Sequence, residues 1–289
     1  MRIETSGDTY TYSFDSLADL TESVNRAIEK PRTDGSEGER AMFMRSRKTG
    51  APLQSAHTGY DSLKTWQDAE KRLAEGWPDG ASKIAELVDS IQENIPPAKS
   101  IRRRMVWGDQ GDEIEITKVY SGELDSAWRE ARRCQSAGTP TITIQICWGN
   151  ASVITPDSMF WQAAAGIACA DVLEKAGYRV ELRAGRHVGH PDSTQDFSVL
   201  LKDPSQPVDI SSVAALCCSA GIYRTFGFGV MLCHARAVSG GMGTHHDRSD
   251  TWDGEAYRFG YGVRQTSKEA AIQSATTCLK AITGVTNAD

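Results

Sequence analysis

The stretch that decides the fold is Thr141-Ile142-Thr143-Ile144-Gln145-Ile146-Cys147, a run rich in β-branched residues that ends at Gly149. Such residues favour extended backbone, and the apolar positions predict a β-strand that is covered on at least one face. A long helix is predicted to follow over residues 156–176, with Pro156 in its first turn and Gly177 in the left-handed position after its last turn. Small residues on one face of this helix allow it to lie close on a sheet, as a β-α-β crossover requires.

Strands and helices alternate along the rest of the second half of the chain. Further strands are predicted at residues 178–184 and 197–201 and near 257–263, with a helix after Pro207 and another at the C-terminal end. This alternation is typical of α/β folds. We therefore predict an open, mostly parallel sheet flanked by helices, which occupies residues 136–289.

Residues 1–135 are predicted to form a mainly helical N-terminal region. Apolar residues recur at helical spacing in three segments, 17–28, 63–73 and 84–91. A short strand precedes them at residues 10–14, and a further helix is predicted around Trp128. Residues 31–59 are polar and lack periodicity, so a loop that offers a contact surface is predicted there.

The composition excludes several classes of protein. With 289 residues, 39% of them hydrophobic and 24% charged, the chain is long enough and apolar enough to fold as an ordinary globular protein. The net charge of -6 gives no general attraction to nucleic acid or to anionic membranes. No signal peptide and no long apolar segment is recognisable, so we expect a cytoplasmic protein that does not enter a membrane.

The cysteines indicate reduced thiols in the core and no zinc site. They are Cys134, Cys147, Cys169, Cys217, Cys218, Cys233 and Cys278. Their number is odd, and no Cys-x-x-Cys pair is followed by a second pair or by suitably spaced histidines. We expect no disulfide framework and no bound cofactor.

The sequence resembles a known family between about residues 138 and 283. Trp148-Gly149-Asn150-Ala151-Ser152, the helix rich in alanine and Ala176-Gly177-Tyr178-Arg179-Val180-Glu181 together resemble the von Willebrand factor A-like domains of bacterial proteins. The whole chain is similar to uncharacterised phage and bacterial proteins. The resemblance implies a Rossmann-like sheet with a binding site on the loop after its first strand.

In that family the loop binds Mg²⁺ through one carboxylate and two hydroxyls, with a partner's carboxylate completing the shell. The corresponding positions here are Asn150, Ser152 and Ile154, and Thr225 is similar in position to the family's metal-site threonine. An amide at the carboxylate position weakens Mg²⁺ binding severely, because this ion is normally held by ionised oxygen. If Gly149 is the aligned residue instead, the carboxylate is missing altogether. The resemblance therefore implies a degenerate site that holds no metal.

Two polar clusters offer an alternative site. His245, His246, Asp247 and Asp250 share a loop rich in glycine, and His187 and His190 lie just past the predicted end of a strand. Imidazoles with carboxylates can bind a transition metal or supply a general base. A solvated surface loop is the simpler interpretation of both clusters, because loops of this composition are common.

A third group of residues, Arg102-Arg103-Arg104 with Trp107, could contact phosphates and stack on bases. Acidic neighbours at Asp109, Asp112 and Glu113 favour a solvated face instead. Nucleophilic catalysis has no support, since there is no Gly-x-Ser-x-Gly motif and Cys233-His234 fits a helix interior.

The leading hypothesis is a non-enzymatic scaffold of a phage or a bacterial cytoplasm that binds a protein partner through a degenerate von Willebrand factor A-like domain. One alternative is a metal-dependent hydrolase or nuclease that uses His187 and His190 with the cluster at residues 245–250. Another is a nucleic-acid-binding module, in which the Arg102 cluster and the lysine and arginine residues of the loop at 31–59 form one basic face. The oligomeric state stays open.

Overall fold

The computed structural model describes residues 1–31, 37–53, 63–91, 103–111, 113–133, 141–149, 155–190, 193–233, 256–260 and 267–283. The strands are β1 Arg2–Ser6, β2 Thr9–Phe14, β3 Arg103–Gly108, β4 Glu113–Ile114, β5 Trp128–Arg133, β6 Thr141–Cys147, β7 Arg179–His190, β8 Ser193–Lys202 and β9 Ala256–Phe259. The helices are α1 Leu17–Glu29, α2 Glu37–Thr49, α3 Trp66–Glu75, α4 Pro78–Ile91, α5 Ile116–Tyr120, α6 Pro156–Lys175, α7 Ile210–Cys218, α8 Ala220–Met231 and α9 Lys268–Thr283.

Six of the described strands form the main sheet, in the order β1-β2-β8-β7-β6-β9. β6 runs parallel to β7 and β9, and β2 runs parallel to β8. The pairs β1–β2 and β7–β8 are antiparallel, because in each pair only two residues separate the second strand from the first. The predicted α/β fold with flanking helices is confirmed, and these two hairpins make the sheet mixed.

The strand, helix and strand at the centre of the prediction form the unit β6-α6-β7. Thr155 caps α6 through its side chain, and Pro156 occupies the first turn. Gly166 lies directly on the sheet, since a Cβ there would stand 2.9 Å from Cγ1 of Ile146 and 3.1 Å from the ring of Phe259. The predicted helix is confirmed, and its small residues permit the expected close approach.

One hydrophobic core joins helices from both halves of the chain to the main sheet. The ring of Trp66 in α3 lies 4.5 Å from that of Phe226 in α8 and 5.1 Å from that of Phe43 in α2. Val24 of α1 also contacts α8, because a Cβ on Gly229 would stand 2.6 Å from its Cγ1. Residues before and after position 135 therefore share a core, and the division of the chain at that position stays a prediction.

Helix α2 lies within residues 31–59, so the loop predicted there is wrong over residues 37–49. Phe43 is fully buried, and Arg40 is 9% exposed with Nη1 donating to the carbonyl oxygen of Ile28 at 2.7 Å. The hydroxyl of Ser46 accepts the amide hydrogen of Trp66 at 2.9 Å. The polar composition concealed the helix, because two of its inward positions carry polar residues whose polar atoms find partners inside.

A second sheet of three strands has the order β3-β5-β4, with β5 antiparallel to both neighbours. The helix predicted around Trp128 is wrong, because residues 128–133 form β5. Their sequence contains good helix formers, but pairing with β3 overrides this weak local preference. Helix α5 and a 3-10 turn at Leu124–Ser126 lie between β4 and β5 along the chain. We call the described part of residues 103–133 the small-sheet module.

Among the described residues, no individual helix is long and apolar enough to cross a membrane. Helices α7 and α8 satisfy that test only when they are joined, and they are bent by 58° relative to each other. Most residues of this pair lie in the protein core.

Candidate functional site

The parallel strands β6, β7 and β9 end at one side of the main sheet, which we call the carboxyl edge. The parallel ladder pairs Cys147 with Gly185, and it continues through the amide of Trp148, which donates to the carbonyl oxygen of Gly185 at 2.6 Å. Gly149 follows on β6, and Arg186 follows on β7. Ligands of open α/β sheets bind at this kind of edge, which makes it the first candidate site.

Arg186 is a buried charge at the carboxyl edge, with only 1% of its surface exposed. Its Nη1 donates to the carbonyl oxygen of Gly227 at 2.9 Å, and its guanidinium carbon lies 5.0 Å from the ring centroid of Tyr223. Gly149, with a φ of +156°, fits against both residues, since a Cβ there would stand 3.3 Å from Cδ of Arg186 and from Cε2 of Tyr223. The loop after β6 thus begins in contact with a fixed positive charge.

The atoms Oη of Tyr223 and Nε1 of Trp148 are buried at this edge and have no hydrogen-bond partner among the residues that the structure describes. Tyr223 is 2% exposed and Trp148 is fully buried. Leaving such a group unsatisfied costs about 1–3 kcal/mol. Because the indole N–H can only donate, and the neighbouring guanidinium is a cation, this part of the edge is poorly suited to a metal ion.

Thr225 is fully buried on α8, close in sequence to these groups. It lies in a π-helical segment, Tyr223–Gly227, and its Oγ1 donates to the carbonyl oxygen of Gly221 at 2.8 Å. Short π segments in helices are frequent at functional sites. Since the hydroxyl proton is used within the helix, Thr225 can offer only a lone pair to a ligand. Its implied role at a metal site stays a prediction.

Several residues singled out in the sequence lie outside the described residues. They are Asn150, Ser152 and Ile154 of the loop after β6, and His245, His246, Asp247 and Asp250 of the polar cluster. In the part of the chain that the structure describes, no three side chains of His, Cys, Asp or Glu are grouped so that they could hold a metal ion. The degenerate metal loop and the metal-dependent hydrolase both stay predictions.

His187 and His190 lie inside β7, so their predicted position past the end of a strand is wrong. His187 pairs with Asp196 of β8, and His190 pairs with Ser193. The strand extends to His190 because β8 follows it directly and supplies an antiparallel partner at each position. The polar sequence of this segment concealed the extension, since polar residues at the end of a hairpin are compatible with either a strand or a loop.

The described cysteines are free thiols. Burial raises the pKa of the Cys217 thiol far above its usual range, and the neighbouring Cys147 adds to the effect. Burial likewise raises the pKa of Cys169. Because the thiolate is the nucleophile, neither Cys169 nor Cys217 is activated for covalent catalysis.

Exposed apolar side chains are concentrated in the small-sheet module. The module exposes Trp107 (40%), Ile114 (46%), Ile116 (60%), Tyr120 (88%) and Leu124 (58%), which we call the exposed apolar set. Elsewhere in the described structure, only Met1 and Ile3 are large apolar residues exposed to this degree. Single exposed apolar residues are ordinary, but a set of five on one short segment is typical of a contact surface.

Two cations that follow Trp107 in the sequence contact its ring. Nζ of Lys118 lies 3.8 Å from the ring centroid, and Cζ of Arg129 lies 5.2 Å from it. Lys118 also donates to the carbonyl oxygen of Ser126 at 3.2 Å, and Arg129 bonds the carboxylate of Glu113 at 2.8 Å. These contacts tie α5 and β4 to the ring.

The backbone register of the module brings arginine residues together. Arg103 of β3 pairs with Arg133 of β5, and Arg104 pairs with Arg132. The backbone register therefore places four arginine positions at one end of the module.

A family model matches the chain over residues 2–284, and that family is described as a domain of unknown function (DUF7192). The chain belongs to this family. The match includes both the carboxyl edge and the small-sheet module, so both are parts of the DUF7192 domain. No curated protein and no solved structure matches the chain.

Sequence reasoning missed Arg186 of this DUF7192 domain, although a signal was present. Val180, Leu182 and Ala184 alternate as buried residues of β7, and the same period of two places Arg186 inside as well. Arginine is seldom fully buried without partners, so an inward arginine at a strand end merits attention. Tyr223 carried no comparable signal, because an aromatic residue in an apolar helix is ordinary.

Proposed function

We propose that this DUF7192 protein acts by binding another protein through its small-sheet module and catalyses no reaction. In this proposal the main sheet, related to that of von Willebrand factor A-like domains, is a scaffold that presents the module in a bacterial cytoplasm, in the cell itself or during phage infection. The observation that carries the proposal is the exposed apolar set.

The exposure of these side chains brings no stability to the fold. Tyr120 is 88% exposed and Ile116 is 60% exposed, and they are four residues apart on α5, so they lie on one side of that helix. Burial of apolar surface is worth about 25 cal/mol per Å², and here that gain is realised only when another surface covers the helix. A protein partner with an apolar contact face would supply this cover.

The charges of the same segment indicate the chemistry of the partner. Glu115, Glu123 and Asp125 accompany the exposed apolar set, whereas the amine of Lys118 is held against Trp107. Acidic side chains at the rim of an apolar contact favour a partner whose own rim is basic, through both association rate and specificity. We therefore propose a partner that offers an apolar face surrounded by lysine or arginine.

The residues at the carboxyl edge argue against metal-dependent adhesion, so the proposal does not include it. Arg186 contacts Gly149, at the start of the loop where the resemblance implies a metal ion. A buried positive charge beside that loop repels a divalent cation, and the amide of Asn150 removes the attraction that a carboxylate would provide. Binding through shape and apolar contact is then the function that this scaffold retains.

The test uses a photo-crosslinking amino acid in place of Tyr120, with the same amino acid in place of Ile3 as the matched control. Ile3 is 50% exposed but lies on β1, outside the module. Crosslinking in the native host should join position 120, and not position 3, to one protein with a basic, apolar surface. The purified partner should bind an Ile116→Ser, Tyr120→Ser variant at least tenfold more weakly than the parent or an Ile3→Ser variant.

Equal crosslinking at the two positions, or unchanged affinity of the double variant, would refute the proposal. A crosslink between two copies of this chain would refute it as well, since it would make the exposed apolar set a self-association surface. Analytical ultracentrifugation of the purified chain distinguishes that outcome.

Nucleic-acid binding is a second candidate, favoured by the four arginine residues that the register brings together. It is the weaker one, because Lys118 lies 3.8 Å from the ring centroid of Trp107, where a stacked base would have to lie. Binding to mixed-sequence single-stranded DNA or RNA that weakens steeply with salt would favour this candidate. No binding at low salt would remove it.

A further inference from the structure

Cys169 and Cys278 meet at the interface between helices α6 and α9. Their sulfur atoms lie 3.7 Å apart, although the two residues are 109 positions apart in the sequence. Both are free thiols. The helices approach this closely because the buried positions of α9 include Ala271 and Ala275, whose small side chains permit a short separation.

The two thiols differ in their access to solvent. Cys169 is fully buried, whereas Cys278 is partly exposed. Burial raises the pKa of Cys169 well above its usual value, and the adjacent Cys278 thiol raises it further, so Cys169 stays protonated at neutral pH. A reagent in solution therefore reaches Cys278 first, and the thiol of Cys169 lies next to it in the interior.

We propose that Cys169 and Cys278 are a modification site, at which a hydroperoxide drives formation of a reversible disulfide that fastens α9 to α6. The Cys278 thiolate attacks one peroxide oxygen, the O–O bond breaks, and the other oxygen leaves with a proton as water or an alcohol. Cys278 is then a sulfenic acid. The sulfur of Cys169 attacks the sulfenic sulfur, the S–O bond breaks, and the hydroxyl leaves as water with the proton from Cys169.

The balance of the reaction is two thiols and one hydroperoxide giving one disulfide, one water molecule and one alcohol or second water molecule. The sulfur atoms have to approach from 3.7 Å to about 2.05 Å, a movement within the reach of side-chain rotation and a small helix shift. The second step should be slow, because the attacking Cys169 is predominantly a thiol and thiolate is the reactive form.

The bond would change how firmly α9 is held. Outside the core, an ion pair between Lys268 and Glu86, at 3.2 Å, connects α9 to α4. A disulfide would close a long loop that contains β7, β8, α7, α8 and β9, and closing a loop of that length restricts the unfolded chain strongly. The melting temperature of the oxidised protein should therefore rise by several degrees.

The test treats the purified full chain with hydrogen peroxide and follows the thiols by peptide mass mapping without reduction. A linked peptide that joins Cys169 to Cys278 should appear, together with the higher melting temperature, and dithiothreitol should reverse both. The matched control pair is Cys147 and Cys217, which are close enough to influence each other but are both buried. That pair should remain reduced under the same treatment.

A Cys278→Ser variant should lose the peroxide-dependent rise in melting temperature. If that variant does not fold, the linked peptide of the parent chain still tests the proposal by itself. Oxidation of Cys278 to a sulfinic acid without a linked peptide would overturn the proposal. Equal linkage of Cys147 to Cys217 would also overturn it, since oxidation would then follow unfolding and not the geometry of α6 and α9.

Discussion

Replacing Lys202 by Met is expected to destabilise the folded protein more than any exposed charge substitution, because Lys202 lies in a buried ion pair. Its side chain is 1% exposed, and Nζ bonds Oε1 of Glu174 on α6 at 2.5 Å. Nζ also donates to the carbonyl oxygens of Val180 at 2.5 Å and Asp203 at 3.1 Å. The other carboxylate oxygen of Glu174 accepts the amide hydrogen of Val208 at 2.9 Å. The pair thus links β8, α6, β7 and the segment before α7.

The expected loss follows from what the substitution leaves behind. Removing one member of a buried pair costs about 3–5 kcal/mol, because the other charge stays without its partner. Glu174 keeps 19% of its side chain exposed, so water relieves part of that penalty. We therefore expect a value near the lower limit, about 3 kcal/mol. Glu174→Gln keeps an acceptor for Val208 and removes the charge, so the double variant Lys202→Met, Glu174→Gln should recover about 1 kcal/mol or more.

Urea unfolding followed by tryptophan fluorescence measures the effect as a shift of the midpoint at unchanged slope. The matched control is Lys71→Met, since Lys71 and Glu75 form a pair at 3.9 Å with side chains 70% and 66% exposed. The free energy of unfolding of that variant should differ from that of the parent by no more than about 0.5 kcal/mol. If Lys202→Met lowers the free energy of unfolding no more than Lys71→Met does, the buried pair does not stabilise the fold in the way argued. The same holds if the double variant recovers none of the lost stability.

Three further outcomes test other parts of the molecule. Tyr223→Phe removes a buried hydroxyl that has no hydrogen-bond partner among the described residues, so thermal melting should show that the free energy of unfolding rises by about 1 kcal/mol, and a fall instead would reveal a bonded hydroxyl. Burial raises the pKa of Asp68, but hydrogen bonds from the amides of Lys64 and Thr65 outweigh it and lower the pKa below the usual 3.8. The stabilising effect of Asp68 is thus present above that value and lost as the pH falls through the lowered pKa. Asp68→Asn should cost about 1 kcal/mol at pH 7, and the difference should shrink in acid; a constant difference would contradict the assignment. Millimolar magnesium should leave the melting temperature unchanged, and a rise of several degrees would mean that the loop after β6 binds the ion after all.

The unit β6-α6-β7 could be predicted because each of its signals is local. Thr155 and Pro156 mark the start of the helix, and β-branched residues mark the strand before it. Helix α2 could not be found in the same way, since the partners that make Arg40 and Ser46 acceptable inside lie on other elements. Strand β5 was missed for a related reason, because helix-forming residues adopt the strand only when β3 is there to pair with them.

The candidate sites were harder to predict than the fold. The amide at Asn150 could be recognised from the sequence, but the contact between Arg186, Tyr223 and Gly149 depends on how α8 lies across the end of β7. The exposure of Ile116 and Tyr120 could not be deduced at all, since apolar residues at helical spacing ordinarily face a core. Only the packed structure reveals that no other described element covers them.

The contrast between the two sheets bears on where function lies. The main sheet encloses even Arg186 and Lys202 and gives them bonded partners, so its polar interior is part of the folded structure and substitutions there act on stability. The exposed apolar set contributes little to the core, and Ile116→Ser with Tyr120→Ser should change the free energy of unfolding by no more than about 0.5 kcal/mol. The proposed contact with another molecule rests on apolar residues that are unnecessary for folding and are exposed to water. Loss of partner binding at unchanged stability would separate that role from any structural one.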